Sequence, residues 1–199
     1  MPELPEVETI KNTVSKMLLG ATINKVTVRQ RKFRQLIPMD FEKRIENSKV
    51  ISLKRIAKYM LINTDNKQTI IWHFGMSGKF RLESALPQSF DKHDHIILET
   101  SNGVLIYNDV RRFGLIDVCE TEKLRENPQL KDLGLDPWDK NLTPVFLRQQ
   151  LSSKKCAIKI ALLNQSIICG IGNIYASEIL YKARIRPDRK ANEIKLEEC

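Results

Sequence analysis

The first nine residues, MPELPEVET, carry the side chains best suited to covalent chemistry. Initiator methionine is normally removed when proline follows, so the mature chain would begin with Pro2, whose nitrogen would be a free secondary amine. An α-amine has an ordinary pKa of about 7.7–8, so near pH 7 a useful fraction is uncharged and nucleophilic. Glu3, Glu6 and Glu8 follow closely and can donate or accept protons. Attack of such an amine on a sugar C1′ or an aldehyde would give an iminium, which is an electron sink.

The same segment has a purely structural interpretation. Pro5 is a residue type favoured in the first turn of a helix, and acidic residues there favour the positive end of the helix dipole. Composition alone favours this interpretation, because most helix starts look alike. Apolar residues recur at helical spacing up to Leu18, and Gly20 follows as a stop. The pattern predicts an amphipathic helix of about four turns that anchors Pro2 to a core.

Bulk composition limits the classes of protein to consider. The 199 residues are 42% hydrophobic and 29% charged, enough to bury a core in one large or two small domains. The 33 Lys and Arg exceed the 24 Asp and Glu, and the net charge of +9 favours a polyanionic partner. No apolar run approaches the roughly 20 residues that span a bilayer and no signal peptide is visible, so we expect a cytoplasmic protein. The four cysteines form no Cys-x-x-Cys pair, which argues against a metal site and a disulfide framework.

Short β-like runs follow the first helix. Several alternate polar and apolar residues or are rich in β-branched residues, and Ser101-Asn102-Gly103 between two of them is typical of a hairpin. The predicted strands are 23–28, 50–53, 59–63, 69–74, 95–100, 104–108 and 115–119. Many short strands separated by turns predict a β-sandwich, with the helix packed on its end or side.

Two stretches among these strands combine residues suited to nucleic acid. Segment 25–58 has eleven Lys or Arg against three acids, which favours phosphate neutralisation, and it ends in the turn 54–59 (KRIAKY). We expect this turn at an exposed tip, where a lysine is usually only solvated. Segment 73–78 (HFGMSG) has the glycines of a tight loop, in which Met76 is poorly placed to be core. A lone methionine is nevertheless more often a packing residue.

Segment 107–114 (YNDVRRFG) places an arginine pair beside an aromatic residue. When a base leaves the DNA stack, arginine can hydrogen-bond the orphan partner and phenylalanine can wedge between base steps. An exposed basic turn with Phe113 tucked back into the sandwich fits the residues equally well. The histidines of segment 92–95 (KHDH) lack metal-ligand spacing, so we interpret them as polar support.

The last third of the chain has a different character. Residues 119–141 hold six acids against four basic residues, with proline and glycine interruptions, which predicts a linker. Thr143 as N-cap and Pro144 at the first helical position predict a helix through residue 151. A second helix is predicted over 157–163 and a third from near Asn173.

Segment 164–178 (NQSIICGIGNIYASE) joins the last two helices. Gly170 and Gly172 permit a turn in which backbone N–H groups at the helix start face outward, a ready phosphate site. A Gly-x-Gly pattern alone is a weak signal. Residues 154–190 carry eight Lys or Arg against two acids, which makes a second basic face. Two basic faces with an acidic linker between them favour a duplex lying in an interdomain groove.

These motifs together resemble one known family. PELPEVET at 2–9 is similar, residue for residue, to the N-terminus of bacterial formamidopyrimidine-DNA glycosylases, members of the formamidopyrimidine-DNA glycosylase and endonuclease VIII family. GIGNIYASE at 170–178 resembles the helix-two-turns-helix module of that superfamily, and the resemblance covers essentially the whole chain. The turn before Tyr59 and the loops at 73–78 and 107–114 also match. Val110 stands where the family usually has proline, so we expect a less rigid loop.

The resemblance implies an α+β protein: a catalytic β-sandwich domain with a leading amphipathic helix over 1–118, a linker over 119–141, and a helix-two-turns-helix DNA-binding domain over 142–199. It implies base-excision DNA repair by a bifunctional DNA glycosylase. This enzyme removes oxidised purines such as formamidopyrimidine and 8-oxoguanine, and its abasic-site lyase activity then cuts the strand by β,δ-elimination. The implied partner is double-stranded DNA with oxidised purines or abasic sites, with no membrane partner, and the implied state is a monomer.

The resemblance also implies roles for individual residues. Pro2 would be the Schiff-base nucleophile, Glu3 the general acid and base at the sugar, and Lys58 the holder of the phosphate beside the extruded nucleotide, with Glu6 in support. The implied DNA-binding residues are His73 and Asn173 at phosphates, Met76, Arg111 and Phe113 in the void left by the flipped nucleotide, and Arg112 beside them.

Family members continue into a C-terminal four-cysteine zinc finger. We therefore expect the helical domain here to be cut short and the chain to hold no cofactor, because the family's structural zinc belongs to that region. Two hypotheses stay open: an active glycosylase and lyase, or a truncated, non-catalytic or residual DNA-binding fragment. The nucleophile and the void-filling residues are retained, so we expect abasic-site cutting to suffer less than base excision.

Overall fold

The structure, a computed structural model, describes residues 1–199. The chain divides into two compact units, Met1–Asn127 and Pro128–Cys199. The first unit combines a leading helix with antiparallel strands, and the second is helical. The α+β class predicted from the sequence is therefore confirmed. The division between the units falls inside the segment 119–141 that the sequence indicates as a linker.

Helix α1, Leu4–Leu18, begins the first unit. Glu3 is its N-cap residue, and Pro5 lies in the first turn, where a backbone N–H has no partner inside the helix. Gly20 follows at φ +80°, in the left-handed region that glycine adopts without a steric penalty. The face that α1 buries consists of Leu4, Val7, Val14 and Leu18. The predicted amphipathic helix is confirmed.

Eight strands form one antiparallel sheet after α1. They are β1 (Thr22–Val28), β2 (Ser48–Ile56), β3 (Tyr59–Thr64), β4 (Gln68–His73), β5 (Lys79–Glu83), β6 (Asp94–Thr100), β7 (Gly103–Asn108) and β8 (Leu115–Glu120). Their order in the sheet is β5-β7-β6-β1-β2-β3-β4-β8. A short helix, α2 (Phe41–Ile45), lies between β1 and β2.

The sheet consists of two four-stranded halves that share one core. The halves are joined where β1 pairs with β2, through Thr22 with Lys49 and Ile23 with Ser48 only. Residues from both halves and from α1 belong to the same buried cluster, which includes Val14, Ile23, Met60, Ile62, Trp72, Leu98, Leu105 and Tyr107. Neighbouring residues in the same strands, such as Ile97 and Ile106, point to a second cluster. This period of two is the strand pattern of the predicted β-sandwich.

The strand β5 and the helix α2 were not predicted from the sequence. β5 is a five-residue edge strand with only two apolar residues, Phe80 and Leu82, between charged ones. α2 has only five residues, too few to show a helical period. The predicted hairpin is confirmed, because Thr100 of β6 pairs with Gly103 of β7.

The second unit contains helices α3 (Pro144–Leu151), α4 (Ile158–Leu162) and α5 (Asn173–Lys182). The Thr143 hydroxyl accepts the Phe146 N–H at 3.1 Å, so the predicted cap and the helix that it begins are confirmed. A separate hydrophobic core joins the three helices and includes Leu151, Leu162, Ala176 and Leu180. This core fixes α5, whose first residue is Asn173.

Candidate active site and nucleic-acid interface

The N-terminal segment brings its carboxylates to the start of α1. Glu3 is 3% exposed, although its side chain is polar, and its backbone N–H donates to the Glu6 carboxylate at 3.0 Å. This bond fixes the chain direction immediately after Pro2, which is half-buried. Glu3 and Glu6 form a capping box at the start of α1, which holds the Glu3 carboxyl group in a fixed position one residue from Pro2. This position makes Glu3 a candidate for function.

Glu8, the third carboxylate of the segment, is held in ion pairs. One carboxylate oxygen lies 2.5 Å from the Lys11 ammonium, and the other accepts the Arg55 Nε–H at 3.1 Å. The Lys11 hydrogen bond, and after it Arg55, keep the pKa of Glu8 below its usual value. Glu8 therefore stays ionised and attaches α1 to β2.

The turn between β2 and β3 is buried, which corrects the expectation of an exposed tip. Ala57 is 1% and Lys58 6% exposed, and Ala57 adopts φ +52°. The cause is the pairing of Tyr59 with His73 across β3 and β4, where the two rings lie 4.9 Å apart, centroid to centroid. The turn is thereby held against the end of β4 instead of projecting into solvent. Lysine side chains are rarely buried in folded proteins. The burial of Lys58 therefore makes it a candidate functional residue.

His73 is a neutral side chain in this structure. It is 8% exposed, and burial, followed by the charges of Arg34 and Lys58, lowers its pKa to about 4. Its Nδ1 accepts the Gly75 N–H at 3.1 Å. Since Nδ1 is an acceptor in a neutral ring, Nε2 carries the proton and can donate to an anion. The predicted phosphate contact would thus be a hydrogen bond without a charge on the ring.

A cavity of about 420 Å³ lies in the first unit. It collects several of the residues singled out from the sequence and adds two that sequence reasoning did not assign to the site, Phe33 and Arg34. Its lining residues are Met1, Phe33, Arg34, His73, Gly75, Met76, Arg112 and Phe113. Pro2 is covalently bound to Met1. The candidate nucleophile therefore lies next to the cavity that Met76 and Phe113 line.

Met76, Arg111 and Phe113 project from two loops that touch. Met76 is 49% and Phe113 45% exposed, so Phe113 is not tucked back into the sandwich. The Arg111 guanidinium lies over the Phe113 ring, 4.5 Å from its centroid. Gly75 adopts φ +60°, and a Cβ on it would come within 2.3 Å of the Phe113 carbonyl carbon. The two loops can approach this closely only because residue 75 is glycine.

Asp109 is the residue of this region that sequence reasoning passed over. It is fully buried and its two carboxylate oxygens accept from Ser77, Tyr107 and the Gly114 backbone. Burial, and then Asp109 itself, raise the pKa of Tyr107, so the phenol stays protonated and donates. The only sequence signal was an aspartate between a buried strand and an arginine pair.

Segment 92–95 provides polar support, as predicted. The buried Asp94 accepts from Asn108 at 2.9 Å and from Arg81 at 3.0 Å. The His95 Nε2 lies 3.0 Å from the Asp109 carbonyl oxygen. These bonds hold the first residues of β6 to the end of β7 and to the start of the loop that carries Arg111.

In the second unit, Asn173 is exposed at the first residue of α5. The preceding turn is fixed by Gln165, whose amide donates to the Leu163 and Ile171 carbonyls and accepts the Gly170 N–H. Gly170 adopts φ +92°, which favours glycine. The turn therefore presents Asn173 at the positive end of a helix dipole, where an anion is favoured.

No group of three or more His, Cys, Asp or Glu side chains is arranged to hold a metal ion. None of the helices has both the length and the apolar character needed to cross a membrane.

Both units of the chain match models of domains from one protein family. Residues 1–116 match the family model of the formamidopyrimidine-DNA glycosylase N-terminal domain, and residues 133–199 match that of the formamidopyrimidine-DNA glycosylase H2TH domain. Among similar proteins, the formamidopyrimidine-DNA glycosylase of Zymomonas mobilis is 40% identical over 199 residues, which are 100% of this chain and 73% of the relative. That of Rickettsia africae is 42% identical and is covered to 72%.

Crystal structures of DNA complexes also match the chain. One holds a Lactococcus lactis FPG mutant with DNA containing Fapy-dG, with a TM-score of 0.90 and 30% identity, and the match covers 99% of this chain and 72% of that one. Another holds the Lactococcus lactis formamidopyrimidine DNA glycosylase bound non-covalently to DNA with an abasic site. Its TM-score is 0.91 at 29% identity, with 98% of this chain and 75% of that chain covered.

Proposed function

The chain belongs to the formamidopyrimidine-DNA glycosylase family, and from this premise we propose that it is a base-excision repair enzyme that acts on duplex DNA. Its substrates are oxidised purines, including formamidopyrimidine and 8-oxoguanine, and abasic sites. It removes the base as a DNA glycosylase and cuts the strand as an abasic-site lyase. The single observation that carries the proposal is the cavity that joins Met1, and with it Pro2, to His73, Met76, Arg112 and Phe113.

The chemistry requires an amine and a proton donor at the sugar. After removal of Met1, the Pro2 nitrogen attacks C1′ of the flipped nucleotide and a C–N bond forms. The bond from C1′ to the base breaks, and the base leaves with the bonding electron pair and takes up the proton that the Pro2 nitrogen loses. Glu3 protonates the sugar ring oxygen as the ring opens, which leaves an iminium between Pro2 and C1′. The iminium accepts electrons as a proton leaves C2′, and the 3′-phosphate departs by β-elimination. A δ-elimination then releases the 5′-phosphate.

DNA is held through phosphates by both units. Lys58 supplies a charge and His73 a neutral donor in the first unit, while Asn173 supplies an amide at a helix start in the second. Met76, Arg111 and Phe113 occupy the space that the flipped nucleotide leaves. Such a protein would work at the bacterial nucleoid, where duplex DNA lies.

Borohydride trapping tests the proposal. The iminium between Pro2 and abasic-site DNA would be reduced to a stable covalent adduct in the mature protein. Pro2→Gly should trap far less, and protein that retains Met1 should trap none, because the nitrogen is then an amide. Undiminished trapping with Met1 in place would overturn the role of Pro2 and move the nucleophile to a lysine such as Lys58. Tight binding without any trapping would favour a non-catalytic DNA-binding protein.

We also propose that this chemistry needs no cofactor, because an amine and a carboxylate supply every proton and electron pair in it. Trapping should therefore proceed at an unchanged rate after dialysis against EDTA. A rate that falls with EDTA and returns with zinc would overturn this part of the proposal.

A further inference from the structure

Two loops from different hairpins share one buried carboxylate. The turn 75–78 lies between β4 and β5 and carries Met76, while the loop 109–114 lies between β7 and β8 and carries Arg111 and Phe113. Asp109, at the start of the loop, is fully buried. The turn and the loop are not neighbours in the chain, so whatever fixes their relative position must act between them.

Ser77 provides that link. Its hydroxyl donates to one carboxylate oxygen of Asp109 and accepts the Arg111 backbone N–H at 3.1 Å. The other Asp109 oxygen accepts the Gly114 N–H at 2.9 Å and the Tyr107 hydroxyl at 3.3 Å. Ser77, which follows Met76 in the turn, is thus bonded to both Asp109 and Arg111 of the loop 109–114.

The hydrogen bonds of the buried Asp109 support loops whose other side chains are exposed. Asp109 is 0% exposed, whereas the side chains that it positions, Met76 and Phe113, are about half exposed. The Arg111 guanidinium lies over the Phe113 ring, 4.5 Å from its centroid. Met76, Arg111 and Phe113 are exposed and none of them belongs to the hydrophobic core, so their side chains are available to a partner.

We propose that Ser77 and Asp109 are positioning residues that lock the two loops into one preformed wedge. Met76, Arg111 and Phe113 then enter the DNA as a unit, without first losing the freedom of two independent loops. The inference rests on the proposed function. Neither residue touches the reacting sugar, and their effect is confined to substrates in which a flipped nucleotide leaves a hole opposite a base.

The test compares two substrates with the same abasic strand. In one, a complement of equal length leaves an orphan base opposite the abasic site. In the other, a complement one nucleotide shorter places the abasic site in a bulge, so no orphan base has to be contacted and no hole has to be filled. Ser77→Ala should slow single-turnover trapping on the first substrate by about tenfold, the effect of one lost hydrogen bond, and leave the second unchanged. Ser77→Thr, which keeps the hydroxyl, should restore the rate.

Controls separate positioning from stability. Ser166→Ala removes the hydroxyl of an exposed serine in the second unit, one bonded to Asn164, and should change neither rate. Asp109→Asn keeps the volume of the side chain and should reproduce the selective loss if it folds, whereas Ser77→Ala decides the matter in any case. 2-Aminopurine opposite the abasic site should fluoresce less with Ser77→Ala, since the wedge unstacks it less.

Different results would overturn the wedge proposal and the proposed function. Equal losses on both substrates, or no loss on either, would overturn the wedge proposal. Wild-type protein that traps neither substrate would instead overturn the proposed function.

Discussion

The buried, neutral side chain of His73 makes the stability of the protein depend on pH. His73 has a pKa of about 4 in the folded protein and an ordinary value of about 6.5 when unfolded. Between these values the unfolded state binds a proton that the native state does not bind. The stabilisation is therefore fully present above pH 6.5 and is lost as the pH falls towards 4.

We predict that the free energy of unfolding of the wild-type protein drops by about 2 kcal/mol between pH 7.5 and pH 5 through His73 alone. His73→Gln keeps an acceptor for the Gly75 N–H and should lack this part of the drop. Urea unfolding at both pH values measures it, with His93→Gln as the matched control. Parallel losses in wild type and His73→Gln would contradict the prediction.

The sequence predicts the structural role of some single residues and not of others. Thr143 and Gly20 act within a few residues of chain, so their cap and stop were predictable. The burial of Lys58 was not, because it depends on the pairing of Tyr59 with His73 across two strands. The role of Asp109 depends on Ser77, which is 32 residues away.

At the scale of elements, the loop from Asp109 to Arg112 is a β-turn closed by the Arg112 N–H and the Asp109 carbonyl at 3.3 Å. Val110 occupies its second position, where proline is favoured because its fixed φ suits the turn. Val110 is 56% exposed and its φ is not positive. Proline can therefore replace it without losing a core contact.

Val110→Pro should raise the free energy of unfolding by about 0.4–1 kcal/mol, because it restricts the unfolded chain at a compatible position. Val110→Ala is the control, since it removes the side chain without restricting the backbone. The measurement is urea unfolding at pH 7. A destabilised proline variant would mean that residue 109 cannot adopt the extended conformation that a following proline requires.

Strands and helices were easier to predict than the loops between them. All seven predicted strands exist, because alternation is a local property, while the edge strand β5 offered only Phe80 and Leu82 as a signal. The loops at 75–78 and 109–114 were recognised by residue type. The two loops are in contact at Gly75 and Phe113. This contact joins residues that are far apart in the sequence, so no local sequence pattern predicts it.

At the scale of the whole molecule, the basic residues do not all remain available to DNA. Of the eleven Lys and Arg in segment 25–58, Arg31 pairs with Glu42 and Arg55 with Glu8. Arg44 donates to Gln68 and to the Val118 carbonyl. The charge of +9 still attracts a polyanion at long range, but direct phosphate contacts must come from a smaller set.

The salt dependence of DNA binding measures how many phosphates the basic residues neutralise. If about six phosphates are neutralised, the logarithm of the association constant should fall with the logarithm of salt concentration with a slope near −5. Lys58→Gln should reduce the slope by about one, because it removes a charged contact. Lys67→Gln makes the same charge change at a residue paired with Glu122 and 78% exposed, so it should leave the slope unchanged. Asn173→Ala removes an uncharged contact and should weaken binding at every salt concentration by the same factor. Equal slope changes for the two lysine variants would show that net charge acts at long range, and that Lys58 touches no phosphate.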